Sequence, residues 1–243
     1  MEGFMQIKAI RTKVFSPGMD LVDFIMESVG DKWKEQSILA ITSKIVSLAE
    51  SRTISKTKLG KKELIQQECE HYLGEIGYDC HLAIRHGLLV PSAGIDESNS
   101  AKDEYILYPK DPFSSLEQIA GKIKKKLPFK KIGLMMTDSR TLPLRQGVVG
   151  VALAYSGFRA VKDMVGQKDL FGRSLRMTKI NIVDALAASA VLLMGEGAGQ
   201  CPLALIYEAP VTFVENTDPS ELKISIEEDL YKPLYIDKLL PRE

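Results

Sequence analysis

A chain of 243 residues, of which 45% are apolar, is long enough for one large domain or two small ones around a sizeable core. Its 32 cations balance its 32 acids, whereas a dedicated nucleic-acid binder normally carries a basic excess. No apolar run approaches the ~18 residues of a membrane span, and the N-terminal residues lack the apolar core of a signal peptide. Three widely spaced cysteines are typical of a reduced, cytoplasmic protein.

The predicted elements alternate between strands and helices along the chain. Apolar runs bounded by turn signals predict strands over Gln6–Phe15, Ser37–Thr42, Gly87–Ala93, Tyr105–Pro112, Ile132–Thr137 and Leu203–Ala209. Apolar residues at helical spacing predict helices over Leu21–Val29, Lys61–Ile76, the segment after Ser115 and the alanine-rich segment before Gly195. Asp20 is the predicted N-cap of the first helix, and Ser114 or Ser115 is that of the third. This succession indicates a mixed α/β chain.

Hydroxyl and ammonium groups follow the second predicted strand. Ser43 and Lys44 come directly after its apolar run, where they can bind phosphate. A solvated turn explains the same residues without any ligand.

An acid and an amide stand three residues apart after the third predicted strand. Asp96 offers the carboxylate oxygens that magnesium takes as ligands. Asn99 can hydrogen-bond a base or another ligand oxygen. The structural alternative is a turn closed by the polar side chains themselves.

Two further acids stand where predicted elements end. Asp138 is predicted to lie in a turn after the strand Ile132–Thr137, and Glu196 lies in the glycine-rich loop Gly195–Gly199. Together with Asp96 they can hold one or two divalent ions against a triphosphate, because such ions bridge phosphate oxygens and neutralise charge. Glycines beside Glu196 allow backbone N–H groups to meet phosphate. A capped turn is the alternative interpretation of each acid.

Common catalytic motifs are absent from the chain. The segment Gly166–Ser174 approaches a P-loop, but it has one residue too many and Arg173 replaces the required lysine. Neither a GxGxxG fingerprint nor a GxSxG elbow occurs.

Five motifs, taken in order, resemble those of one known family. They are Ala93–Asn99 (AGIDESN), Met136–Asp138 (MTD), Gly147–Ala152 (GVVGVA), Lys168–Arg173 (KDLFGR) and Leu193–Gly197 (LMGEG). As a set they are similar to the motifs of the coenzyme F-420-0:L-glutamate ligase family. The similarity runs from about Ile7 to about Pro202.

The resemblance implies one ligase-like domain over 1–243, built from two intertwined α/β subdomains, and a homodimer whose strands interlock. It implies a GTP-dependent ligase that joins L-glutamate to a carboxylate of a deazaflavin coenzyme precursor through an acyl phosphate. The implied cofactors are Mg²⁺ or Mn²⁺, with K⁺ as a further ion. The implied partners are small molecules, with no role for nucleic acid or membrane.

Site residues carry over position by position. Metal ligands of the family match Asp96 and Asp138, Ser139 matches a threonine beside the second metal, and Glu196 is a further candidate ligand. The candidate nucleotide-binding residues are Ser43, Lys44, Asn99, Ser139, Gly195 and Gly197. No catalytic side chain is assigned.

Two departures from the family pattern bear on the function. The family often carries Thr-Asp-Thr-x-Gly-Arg where this chain has Thr137–Leu142 (TDSRTL), and Leu48 stands at a family lysine. Two alternatives therefore stay open. One is the same ligase chemistry on another carboxylated metabolite, and the other is a nucleotide- or metabolite-binding paralogue without catalysis.

Overall fold

The structure is a computed structural model that describes residues 4–98, 100 and 103–239. Its strands are β1 (Gln6–Ile10), β2 (Ile38–Thr42), β3 (Thr53–Ser55), β4 (His71–Gly77), β5 (Cys80–Arg85), β6 (Leu88–Pro91), β7 (Glu104–Ile106), β8 (Gly133–Thr141), β9 (Val148–Ser156), β10 (Val161–Asp163), β11 (Lys179–Asn181) and β12 (Leu203–Tyr207). Its α-helices are α1 (Leu21–Val29), α2 (Ser43–Ala49), α3 (Lys61–Glu68), α4 (Pro112–Lys126), α5 (Ile182–Met194) and α6 (Ile236–Leu239). The predicted mixed α+β class is confirmed.

A five-stranded sheet forms the centre of the fold, in the order β1-β12-β2-β8-β9. Strands β2 and β8 are parallel, and the other neighbours are antiparallel. Helices α1 and α4 pack on one face, against residues such as Leu39 and Met136, whereas α5 packs on the other face, against Ala40 and Met135. Because β2 is buried on both faces, its sequence is a continuous apolar run rather than an alternating one.

The chain between α2 and α4 builds a smaller layer beside this sheet. It contains the three-stranded sheet β4-β5-β6, the pair β3-β7 and helix α3, whose Leu64 and Ile65 enter its core. Backbone hydrogen bonds in both directions, at 2.9 and 2.8 Å, join Asp96 to Ile106 at the end of β7. This bridge fixes the segment that carries Asp96.

Strands β10 and β11 form an antiparallel hairpin, and the segment Lys168–Arg173 lies in its tip. Asp169 Oδ1 accepts the backbone N–H groups of Phe171 and Arg173, each at 2.8 Å. The side chains of Leu170 and Phe171 remain exposed. This motif therefore stabilises the tip of a hairpin.

The predicted helix Lys61–Ile76 is wrong in its second half. Helix α3 ends at Glu68, because Cys69 adopts extended backbone angles (φ −87°, ψ 155°). Residues His71–Gly77 then form β4, which pairs with β5 and is interrupted by irregularities in register. The pairing partner, and not the local apolar spacing, decides the structure of this stretch.

Helix starts and strand ends show smaller differences. Asp20 caps α1 as predicted, with its Oδ1 atom 2.9 Å from the Asp23 amide nitrogen. Asp111, and not Ser114 or Ser115, caps α4, because its carboxylate accepts the Ser114 N–H at 3.0 Å and Pro112 fits the first helical turn. The first strand ends at Ile10 rather than Phe15, and the strand predicted over Tyr105–Pro112 ends at Ile106. Within the described ranges, no helix is long and apolar enough to cross a bilayer.

Candidate active site

The candidate site lies at the carboxyl ends of the two parallel strands. Thr42 of β2 and Thr137 of β8 are partners in register. After Thr42 the chain turns directly into α2, and beyond Thr137 β8 continues through Asp138 and Ser139. Ligands of open α/β sheets bind in crevices outside such strand ends.

Asp138 lies inside strand β8, which corrects the prediction that it stands in a turn. The strand extends to Thr141, which pairs with Val148 of β9. Because successive side chains of a strand point to opposite faces, Asp138 and Ser139 are directed to different sides of the sheet.

The cleft at these strand ends has two lobes. The smaller lobe has a cavity volume of about 370 Å³ and is also lined by α2 and residues 90–98. The larger lobe, of about 480 Å³, extends to residues 12–15 and to the loop after α5. The residues that line both lobes, which we call the junction, are Lys44, Asp96, Ser98, Asp138 and Ser139.

Asp96 is held in its ionised form at the junction. Lys44 Nζ lies 2.6 Å from Asp96 Oδ2 and 3.1 Å from Ser98 Oγ. The Ser98 backbone N–H donates to Asp96 Oδ1 at 2.6 Å. Burial raises the pKa of Asp96, but the hydrogen bonds from Lys44 and Ser98 outweigh it, so that the net pKa is lowered from 3.8.

Asp138 is the opposite case, because burial dominates. The Tyr108 hydroxyl donates a hydrogen bond to Asp138 Oδ2. Burial nevertheless raises the pKa of Asp138 to about 6, and the nearby charge of Asp96 adds to the effect. Burial and the Asp138 charge also raise the pKa of Tyr108 well above 10, so the tyrosine is the proton donor of this pair.

The Tyr108 ring is fixed against the backbone of Gly94. Gly94 has a φ of +72°, and a Cβ atom built on it would lie 2.0 Å from Tyr108 Cζ. Arg52 Nε donates to the Tyr108 carbonyl oxygen at 3.0 Å. Sequence reasoning missed Tyr108, because its link to Asp138 arises only from the fold and no local motif marks it.

Glu196 meets the cleft from the side of α5. Gly195 ends this helix with a φ of +74°, and Ser139 Oγ donates to Glu196 Oε2 at 3.1 Å. The described ranges contain no group of three His, Cys, Asp or Glu side chains that could hold one metal ion. The structure therefore brings Asp96 and Asp138 to the junction and places Glu196 beside Ser139, in the larger lobe.

Eight of the nine predicted site residues line the cleft. They are Ser43, Lys44, Asp96, Asp138, Ser139, Gly195, Glu196 and Gly197. The ninth, Asn99, lies outside the described residues. Which ligand each residue binds stays a prediction.

The protein therefore has a mixed α+β fold with a two-lobed, acid-lined cleft at its parallel strand ends. The model of the F420-0:Gamma-glutamyl ligase family matches residues 9–208, and the chain belongs to this family. The resemblance predicted from the five motifs is confirmed.

Several named relatives share most of their length with this chain. The coenzyme F420:L-glutamate ligase of Methanococcus maripaludis strain C6 is 34% identical over 216 residues, which cover 82% of this chain and 86% of that protein. The protein of the same name from Archaeoglobus fulgidus is 32% identical over 206 residues, covering 78% and 81%. That from Methanocaldococcus jannaschii is 40% identical over 148 residues, covering 61% and 58%.

Proposed function

We propose that this chain is a ligase that joins L-glutamate to a carboxylate of the deazaflavin coenzyme precursor F420-0, with GTP as co-substrate. The observation that carries the proposal is family membership over residues 9–208, in a chain whose cleft has two lobes that meet at Lys44, Asp96 and Asp138. The relatives are named as coenzyme F420:L-glutamate ligases, which supports the choice of substrates.

The proposed chemistry has two steps. An oxygen of the acceptor carboxylate attacks the γ-phosphorus of GTP, the bond to the β–γ bridging oxygen breaks, and GDP leaves. The glutamate nitrogen then attacks the carbonyl carbon of the acyl phosphate, phosphate departs with the electrons of the C–O bond, and the nitrogen loses a proton. Activation is needed because a carboxylate is a poor acyl donor, whereas phosphate is a good leaving group.

The residues of the cleft suit these steps. The larger lobe offers the Gly195–Gly199 loop for the nucleotide, and Lys44 supplies a cation at the junction, where the phosphoryl group is to be transferred. Holding both reactants at one junction replaces an encounter in solution by a step within the complex. A cleft walled by two layers of the fold also limits the access of water to the acyl phosphate.

Asp96 and Asp138 fit Mg²⁺ or Mn²⁺. Both offer carboxylate oxygens, the donors that hard divalent ions prefer, and both line the two lobes. Burial raises the pKa of Asp138 and the nearby charge of Asp96 adds to the effect, so a divalent ion at the junction would favour the ionised form of Asp138. When held by Asp96 and Asp138, such an ion would neutralise the charge that develops on the phosphoryl group. Ser139 and Glu196 would assist from the larger lobe, and K⁺ stays a further prediction.

The test is a ligation assay with purified protein, F420-0, L-glutamate and GTP, with Mg²⁺, Mn²⁺ and K⁺ varied in turn. We expect a product heavier by one glutamyl residue, with GDP and phosphate formed in equal amounts. Asp138→Asn should abolish product and weaken Mn²⁺-dependent GTP binding, whereas Glu117→Gln, at an exposed position of α4, should change neither. Full activity of Asp138→Asn would refute the assigned role of the junction.

The same assay separates the alternatives. ATP in place of GTP tests the choice of nucleotide. Labelled glutamate incubated with a metabolite extract reveals another acceptor if F420-0 is not used. Binding of nucleotide without release of phosphate under any of these conditions would identify a binding paralogue instead of a ligase.

We also propose that the protein forms a homodimer through the tip of the β10–β11 hairpin. Leu170 is 97% exposed and Phe171 is 82% exposed, although the tip around them is well hydrogen-bonded. Adjacent exposed apolar side chains on an ordered hairpin are typical of an interaction surface. Light scattering should show a dimer for the parent protein and a monomer for Phe171→Asp. The control Tyr78→Asp, at another exposed hairpin, should remain a dimer. A monomeric parent protein would contradict this assignment.

A further inference from the structure

Arg140 lines the smaller lobe and carries a buried hydrogen-bond donor. It stands two residues after Asp138 in β8, so the two side chains share a face of the strand. Its Nε atom is buried and has no hydrogen-bond partner among the described residues. A buried donor without a partner is costly, and in native structures it usually has a reason such as a ligand.

The acids that line the smaller lobe are already engaged by other groups. Their partners are Lys44 for Asp96 at 2.6 Å, the Tyr108 hydroxyl for Asp138, and Lys61 and Lys56 for Glu97 at 2.7 and 3.3 Å. Because these acids have other partners, Arg140 remains a permanent positive charge that suits a carboxylate or phosphate from outside the chain.

Arg140 supplies a cation on one wall of the smaller lobe, and this cation suits the carboxylate of a bound substrate. An amino acid presents such a carboxylate. A volume of about 370 Å³ stands near the lower end for ligand pockets and suits an amino acid better than a nucleotide.

We propose that Arg140 binds a carboxylate of the amino-acid substrate in the smaller lobe and thereby turns its amino group toward the junction. The inference rests on the proposed ligase function and assigns one substrate of that reaction to one lobe. Arg140 is then a residue that determines specificity for the amino acid and does not take part in activation of the acceptor.

The first experiment compares Arg140→Gln with Arg145→Gln, an exposed arginine in the loop after β8. Loss of a charge-assisted pair should raise the KM for L-glutamate at least about tenfold in Arg140→Gln. The KM for GTP and kcat should stay within about twofold of the parent, because a uniform binding contact acts on KM alone. Arg145→Gln should match the parent in every constant. An unchanged KM for L-glutamate in Arg140→Gln overturns the inference.

Two analogues identify the carboxylate. 4-Aminobutyrate lacks the α-carboxylate of glutamate, and L-2-aminobutyrate lacks the side-chain carboxylate. One of the two analogues lacks the carboxylate that Arg140 binds. For that analogue, Arg140→Gln should not raise KM further, because the analogue and the substitution each remove the same interaction. If Arg140→Gln weakens both analogues and L-glutamate equally, Arg140 does not bind a carboxylate.

Direct binding separates this inference from the proposed function. Calorimetry measures the affinity for L-glutamate of the parent protein and of the variants, with Mn²⁺ and a non-hydrolysable GTP analogue present. If the parent protein shows no turnover, the proposed ligase function is refuted. The role of Arg140 is still supported if the parent protein binds glutamate and Arg140→Gln abolishes that binding. Absence of glutamate binding by the parent protein overturns it. If Arg140→Gln fails to fold, Arg140→Lys decides, since it keeps the charge but not the planar fork, and an unchanged affinity in that variant overturns the inference.

Discussion

Replacing Gly94 by alanine should destabilise the protein through the Tyr108 ring. The new Cβ would lie 2.0, 2.1 and 2.6 Å from three atoms of that ring, where ordinary carbon contacts are about 3.5–4.0 Å. Tyr108 is only 4% exposed, so displacement of its ring must disturb a packed region. Forcing such a shift in a core costs about 1–3 kcal/mol.

The backbone conformation of Gly94 adds a second loss of stability, which a control variant can measure separately. Its φ of +72° is a left-handed conformation, for which alanine costs about 1 kcal/mol relative to glycine. Gly87 has a similar φ of +74° but nothing lies within 4 Å of its Cβ position. Gly87→Ala should therefore lose about 1 kcal/mol, and Gly94→Ala about 2–4 kcal/mol in total.

Urea unfolding followed by circular dichroism measures both free energies of unfolding. The ring is absent from a Tyr108→Ala background. Gly94→Ala should therefore cost less in that background than in the parent protein, by the part of the loss that comes from the clash. Equal losses for Gly94→Ala and Gly87→Ala would refute the contact between Gly94 and Tyr108. In the ligation assay, only Gly94→Ala should lower activity, since it moves the donor away from Asp138.

Two further substitutions test other parts of the site. The pKa of Asp138 is about 6 when folded, above its ordinary 3.8, so its contribution to stability is complete below about pH 4 and is lost as the pH rises through 6. In urea unfolding without metal, the change in the free energy of unfolding caused by Asp138→Asn should therefore be more favourable at pH 8 than at pH 4, by at most about 3 kcal/mol. A change that is independent of pH would contradict this. Gly150→Ala would place a Cβ 2.4 Å from the Ala187 carbonyl oxygen and should cost about 1–3 kcal/mol, whereas Gly60→Ala, which meets nothing within 4 Å, should cost less in the same measurement.

Local signals in the sequence were sufficient for the elements whose structure is decided locally. Helix α1 begins where Asp20 can cap it, and its apolar residues recur at helical spacing. Strand β2 is a short continuous apolar run, as expected for a strand buried on both faces. Both predictions needed no knowledge of the partners of these elements.

Prediction failed where strand pairing, and not the local spacing of apolar residues, decides the structure. Residues 71–77 have apolar positions that also fit a helix, and only their partner β5 makes them a strand. The sequence predicts a turn at Asp138 because the extension of β8 depends on β9, ten or more residues later in the chain. Tyr108 was missed because its hydrogen bond to Asp138 arises only from the fold, and Arg140 was missed because no local motif marks the burial of its Nε atom beside the smaller lobe.

The motifs that carry the family resemblance mark the walls of the cleft as much as its ligands. Gly94 makes room for the Tyr108 ring, which in turn donates to Asp138 on one side of the junction. Gly150 lets α5 approach β9 closely, and this helix delivers the loop whose Glu196 meets Ser139 on the other side. Because each glycine positions a different wall, a change at either one should alter the spacing between the lobes without removing any ligand. The geometry of the two-lobed cleft therefore depends on glycines that offer no side chain to either proposed substrate.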